Sequence, residues 1–391
     1  MIAPRLAYRN LMGAGLRTWL NVIVLSMACV VIIWQQGLLE GWNRQALRDM
    51  IDWEIGDGQY WHLPYDPFDA FTLDESHAPV PKALVADAAL GRAVAPVLIV
   101  QATIYPQGRM QSVILKGISP GQTVLNLPTS DLQAEIPEIP VLIGTRMAKS
   151  ANLRVGDAFT IRWRDVNGTF DAADAKIVRI MKTNVSTVDQ GQLWLPLDRL
   201  QTMMQMPGEA TILVMGQAAK ETDLLPGWVF RDRAFLSKDI ADMIRMKEIS
   251  GWMMYAVLLS LALLAIFDTQ VLAIFSRRKE IGTLIALGMT RGAVIRLFTI
   301  EGAMHGILAA IVASLYGIPL LSLQAIRGFA MPKAVDSFGL AIADRVFPYY
   351  SAGLVAGTTA IVLIAVTIVS FLPSRRIARL NPTDAIKGKL P

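Results

Sequence analysis

Four apolar stretches constrain this chain more than any other feature. Residues 18–37, 251–275, 297–323 and 349–372 are each dominated by Val, Leu, Ile, Ala and Met. An α-helix rises 1.5 Å per residue, so about 20 such residues cross the roughly 30 Å of bilayer hydrocarbon. The spacing of the stretches is uneven. More than two hundred residues separate the first two, whereas residues 276–296 and 324–348 make short connections. The chain is 53% apolar and 18% charged, which fits a membrane protein carrying one large aqueous domain.

Charge fixes the expected orientation. The formal net charge of +5 hides an asymmetry: residues 1–17, 276–299 and 373–391 hold thirteen Lys/Arg against only Glu280 and Asp384, and the rest of the chain is more acidic than basic. Basic residues gather at cytoplasmic helix ends, so both termini and residues 276–296 are expected inside, with residues 38–250 and 324–348 outside. The basic excess sits beside membrane helix ends rather than on a folded face, which argues against a nucleic-acid partner and for contact with the lipid membrane. Residues 1–17, with Leu6, Leu11 and Leu16 among Arg5, Arg9 and Arg17, suit a cytoplasmic interfacial helix. A signal peptide competes for this end. The apolar run continues past Ser26-Met27-Ala28-Cys29 through Val30 to Trp34, so a retained first span is expected.

Residues 38–250 change character, with prolines, charges and short β-type runs. Strands are expected over Val94–Tyr105, Gln111–Gly117, Val141–Gly144, Ala158–Trp163, Ala175–Lys182 and Leu193–Pro196, and helices over Thr145–Ala151 and Leu197–Gln205. Asn167-Gly168 is a hairpin-turn signal. Phe230–Gly251 reads as a helix leading without a break into the second span, and residues 36–52 could supply its partner. The expected fold class is therefore an α-helical membrane protein with four transmembrane helices and a large α+β extracytoplasmic domain inserted between the first two.

The connection between the second and third spans is the most informative segment. Arg277-Arg278-Lys279 leaves the membrane, Glu280–Leu287 has a helical pattern, Gly288 can end that helix and Thr290 can N-cap the next. Arg-Arg-Lys-Glu-Ile-Gly followed by Ala-Leu-Gly-Met-Thr-Arg resembles the signature of ABC transporter permeases of the MacB/FtsX/Lol type. The resemblance implies that this is a coupling helix docking on cytoplasmic ATPase subunits through Arg278, Glu280, Gly282, Leu284, Leu287, Gly288, Met289 and Arg291. The opening Leu-Ala-Tyr-Arg-Asn-Leu and the ending Leu-Asn-Pro-Thr-Asp-Ala-Ile are similar to the same family. The order Gly-Thr-Arg-Met-Ala, Leu-Arg-Val-Gly-Asp, hairpin and Trp-Leu-Pro-Leu resembles the periplasmic core domain of its lipoprotein-releasing members.

The resemblance implies a bacterial inner-membrane, multi-pass subunit, a second permease chain that is identical or paralogous, and a periplasmic lipoprotein carrier. A carrier would dock on the hairpin at 163–175, which is short and lacks an evident apolar tip. The function implied is a permease converting ATP hydrolysis elsewhere into extracytoplasmic motion that extracts lipoproteins. The alternatives are an FtsX-like mechanical transmitter acting on a cell-wall hydrolase and a MacB-like efflux permease. Val30, Val31, Trp34, Met253, Met254 and Val257, at the outer ends of the first two spans, are candidates to line an acyl-chain cavity.

The chemistry is otherwise sparse. The sequence has no phosphate-binding loop, so no enzyme activity is expected of the chain itself, and ATP and Mg would be bound by the partner subunit. No catalytic motif occurs, His62, His77 and His305 are too scattered to suggest a metal site, and the lone Cys29 rules out an intrachain disulfide. Three ionisable residues lie inside apolar spans: Asp268, Glu301 and His305. An unpaired intramembrane carboxylate costs several kcal/mol. Counting residues from the helix ends brings Asp268 and His305 to one level, so a pair between them is expected, with Glu301 nearer the cytoplasm.

Overall fold

A computed structural model describes residues 16–84, 93–216, 225–330 and 345–377. Most of the expected interfacial helix at 1–17 and of the tail at 373–391 lies outside these residues. In chain order the helices discussed are α1 (Leu16–Met50), α2 (Thr145–Ala151), α3 (Leu197–Met204), α4 (Lys238–Ser276), α5 (Arg278–Ala286), α6 (Arg291–Arg327) and α7 (Ala352–Ile377). The chain divides into two compact units, one holding Arg44–Met243 and the other the segment ending at Asn43, Ile244–Ala330 and the segment from Arg345.

In the helical unit, α1, α4, α6 and α7 are each long and apolar enough to cross a membrane. Val22 and Leu25 of α1, Ala262 and Ile266 of α4, Ala309 of α6 and Val362 and Val366 of α7 form one buried cluster. Polar ties supplement this packing, as is usual where helices meet in lipid. Thr358 Oγ1 donates to Gln36 Oε1 (3.0 Å), and the Tyr349 N–H donates to the Gly37 carbonyl (2.8 Å). At Gly41 a Cβ would lie 2.1 Å from the Phe347 carbonyl oxygen, so only glycine permits that approach. Helix α7 continues to Ile377 through Pro373, past the end of the apolar stretch at residue 372. A proline removes one i→i−4 hydrogen bond and kinks a helix without having to stop it.

The other unit is built on a sheet of nine strands among the described residues: β1 (Gly58–His62), β2 (Val94–Ile104), β3 (Gln111–Ile118), β4 (Ile139–Gly144), β5 (Ala158–Arg164), β6 (Phe170–Met181), β7 (Gln192–Pro196), β8 (Ile212–Met215) and β9 (Trp228–Asp232). Their order is β9-β1-β8-β2-β3-β7-β4-β6-β5. The long β2 also pairs with β5, from Ala102 opposite Trp163 to Ile104 opposite Ile161, which closes six strands into a ring. Inside it Leu98, Ile104, Leu115, Ile143, Ile161 and Leu193 are buried with Met147 of α2 and Leu200 of α3. Trp228–Asp232 is thus a strand paired with β1, and α4 begins only at Lys238, so the helix expected from Phe230 starts later. Gly56, with φ +67°, ends the π-helical turn Ile51–Ile55 that follows α1, and a Cβ there would lie 2.6 Å from the Met215 carbonyl oxygen.

Candidate functional site

Helix α4 breaks at Arg277, whose backbone leaves the helical region, and α5 follows at once. Gly288, at φ +95°, turns the chain, and the Thr290 hydroxyl accepts a hydrogen bond from the Ala293 N–H (3.3 Å) to start α6. This is the N-cap expected from the sequence. Ile281 of α5 is buried against Val294 and Phe298 of α6, with Ile285 and Met289 packed at the edge. The segment is therefore a folded helical hairpin with its own small core.

Its outward face consists of Glu280, Thr283 and Leu287, which share one side of α5 through i, i+3, i+7 spacing, together with Gly288 and Arg291. Leu287 is 85% exposed, an apolar side chain presented at the tip. Of the other expected contact residues, Gly282 is buried and Met289 half-buried at the edge of that core. The side chains of Arg278 and Leu284 lie outside the described residues.

One tie here was not foreseen. Arg277 Nη1 lies 3.2 and 3.3 Å from the two carboxylate oxygens of Glu301, three turns into α6, and its Nε donates to Glu280 (3.0 Å). The Glu301 side chain is 8% exposed and that of Arg277 26%. The guanidinium also stands 5.7 Å from the Phe298 ring centre. The Arg277 side chain thus ties the α4–α5 break to α6. The signal was present in the sequence: a glutamate inside an apolar run needs a cation, and Arg277 is the first one at the neighbouring helix end.

The expected Asp268–His305 pair is not brought together. His305 is buried and its Nδ1 meets the Glu301 carbonyl oxygen (2.9 Å), whereas Asp268 is exposed and its carboxylate makes no ion pair or hydrogen bond among the described residues. On α4 the buried positions among the described residues are Tyr255, Ala262, Ile266 and Gln270. Asp268 lies two residues from the last two, about 200° away around the helix.

The candidate acyl-chain residues separate into two groups. Val30, Val31 and Trp34 line a cavity of about 460 Å³ with Leu320, Leu321 and Leu323 of α6. Met253, Met254 and Val257 are exposed on α4 and do not line it. The β5–β6 hairpin has Gly168 at φ +80°, and the Asp165 carboxylate accepts from the Asn167 and Thr169 N–H groups. Val166 and Phe170 flank its tip and are exposed, so the tip is more apolar than the sequence reading allowed.

Residues 252–382, which span α4 to the segment after α7, match the FtsX-like permease C-terminal family. Over these helices the chain is an FtsX-like permease, and along most of its length it is similar to ABC transporter permeases of the LolC type. Over 324 residues the permease is 21% identical to the lipoprotein-releasing system transmembrane protein LolC of Neisseria meningitidis, covering 75% of this chain and 78% of that one. It is 22% identical to the LolC of Xylella fastidiosa over 315 residues, covering 71% and 74%. An ABC transporter permease of Methanocaldococcus jannaschii is 28% identical over 138 residues, 34% of this chain and 31% of that one. The family match includes the whole α5 hairpin, where the permease's exposed leucine and its Arg277–Glu301 tie are found.

Proposed function

We propose that this permease transmits ATP turnover in a separate cytoplasmic subunit to its outer domain, and that it does so to release lipoproteins from the inner membrane. The observation that carries the reading is the α5 hairpin, a rigid element with an exposed apolar tip at Leu287 and an ionic anchor to α6 at Arg277. A push on the tip is delivered to α4 and α6 together. Helix α4 is unbroken for 39 residues, so it can pass displacement on as a lever. Similarity to LolC along most of both chains favours lipoprotein release over hydrolase regulation or efflux. A second permease chain completes the assembly and accounts for Asp268, an exposed carboxylate on a helix of bilayer length. ATP and Mg belong to the partner subunit, both termini to the cytoplasm.

The test is reconstitution of the permease with its ATPase in proteoliposomes carrying a lipoprotein and a soluble carrier. ATP is expected to drive lipoprotein into the soluble fraction. Leu287→Asp is expected to abolish release while the permease still inserts and folds. Release that is unaffected by Leu287→Asp removes the hairpin from the mechanism. A complex that hydrolyses ATP normally yet releases no lipoprotein, and instead activates a cell-wall hydrolase, replaces the substrate reading.

A further inference from the structure

The Arg44–Met243 unit contains a cavity of about 540 Å³. Protein interiors leave few voids larger than a water molecule, and the volume falls in the range of roughly 300–1,000 Å³ typical of ligand sites. Its walls are mainly apolar and aromatic, with Trp61, Ile99, Ile114, Leu125, Trp194 and Phe235 among them. Met50 and Glu54, at the end of α1 and in the turn after it, and Lys238 and Asp239, at the start of α4, also border it. All of these residues belong to the Arg44–Met243 unit itself.

Several of its polar groups pair with one another. Lys116 Nζ is 3.3 Å from Glu54 Oε1 and 5.1 Å from the Trp194 ring centre, and Thr187 Oγ1 donates to Glu54 Oε2 (2.5 Å). Trp61 Nε1 donates to Gln59 Oε1 (2.7 Å), and Gln59 Nε2 to the Glu54 carbonyl (2.8 Å). Burial, and then the Glu54 carboxylate, hold the Tyr65 phenol well above its ordinary pKa, so it stays neutral. Trp194 Nε1 and Gln192 Oε1 have no hydrogen-bond partner, and both atoms are closed to solvent. A peptide entering this space would lose its water and find few free donors or acceptors; a hydrocarbon chain needs none.

The mouth is built differently. The carboxylates of Asp66 and Asp69 accept the N–H groups of Phe68 and Phe71 (2.9 Å each), and the resulting turn holds Phe68, 84% exposed, at the rim. Asp66, Asp69 and Asp239 border the opening against Lys238, so the rim is net negative. We propose that this cavity binds the alkyl chain of a membrane amphiphile whose head is uncharged or cationic, with Phe68 guiding the chain in. The site is independent of lipoprotein release: it is defined by alkyl binding whether or not the complex moves cargo.

The experiment uses full-length permease in native membranes, without its ATPase. Two photoreactive probes share one diazirine-bearing alkyl chain; one ends in an ammonium group and the other in a carboxylate. Mass spectrometry is expected to find the ammonium probe on residues 59–73 and 111–118, and the carboxylate probe there several-fold less. Phe68→Asp, at an exposed position that folding does not need, and Ile114→Trp, which fills the cavity, are each expected to cut that labelling about tenfold, equivalent to some two methylenes of lost burial. Labelling of α4, α6 and α7 by membrane-dissolved probe should persist and reports that the variants are folded. A photoreactive residue at position 68 separates the sources of the chain: an adduct of lipid mass identifies a phospholipid, and an adduct of protein mass a lipid-anchored protein. Absence of labelling at 59–73 and 111–118, labelling that both variants leave unchanged, or preference for the carboxylate probe overturns the proposal.

Discussion

Removing Arg277 is expected to be far more damaging than its position at a helix break suggests. Its two carboxylate partners differ in kind. Glu280 is 65% exposed, and an exposed pair of this sort contributes about 0–1 kcal/mol. Glu301 is 8% exposed and lies about 15 Å along α6 from its first residue. At 3.2 Å and an effective dielectric of 20 the Coulomb attraction is about 5 kcal/mol, much of it offset by desolvation of the two ions. Breaking such a pair by deleting one partner leaves a buried charge behind, at a cost of roughly 3–5 kcal/mol. Arg277→Met is therefore expected to destabilise the helical unit by about 3 kcal/mol. Glu301→Gln should cost less, since Arg277, 26% exposed, can turn its charge toward Glu280 and water.

The double variant Arg277→Met/Glu301→Gln should recover part of the Arg277→Met loss. Reversible unfolding of the purified permease in mixed micelles measures all four corners of the cycle. A coupling of about 2 kcal/mol supports a buried, functionally rigid anchor, and single losses that add within about 0.5 kcal/mol refute it. Release assays on the same variants add a second reading. Arg277→Met is expected to uncouple ATP hydrolysis from release, because the hairpin would then move without α6.

Other consequences are quickly checked. Gly41→Val places side-chain atoms on the Phe347–Pro348 backbone and should destabilise by about 1–3 kcal/mol or prevent folding, read by thermal aggregation in detergent. Val31→Trp, which fills the 460 Å³ cavity beside α6, should reduce lipoprotein release while ATP hydrolysis persists, measured in the reconstituted system. His62 is held below its ordinary pKa by burial and then by nearby His77, with Glu209 opposing. The unfolded chain therefore takes up that proton first, so this contribution to stability is present above about pH 6.5 and is lost as pH falls through the depressed folded value. Thermal unfolding of wild type against His62→Gln should diverge between neutral and acid pH, with the wild type losing more.

The parts of this structure that were legible in the sequence rest on local signals. Thr145–Ala151 was read to the residue, since Gly144 and Asn152 bound it, and Val94–Ile104 was read to within one position because its run of β-branched residues ends at Tyr105-Pro106. The closure of β2 onto β5 was not legible, because it joins segments some sixty residues apart through backbone groups that any side chain could accompany. Phe230–Asp232 was misread for a related reason: three residues carry no period, and only pairing with Gly58–Tyr60 makes them a strand.

The intramembrane charges show where such reasoning stops. Counting 1.5 Å per residue gives an expected level for each of them, and Glu301 and His305, four residues apart on α6, are both buried. Depth alone cannot choose between partners, since azimuth decides which groups meet. On α4, Ile266 and Gln270 already define the inward stripe, and Asp268 falls across the helix from it. Had that stripe been drawn first, Arg277 at the break would have remained as the cation able to reach Glu301. Asp268 would then have been left for a neighbour outside the chain, which is the position the proposed second permease subunit fills.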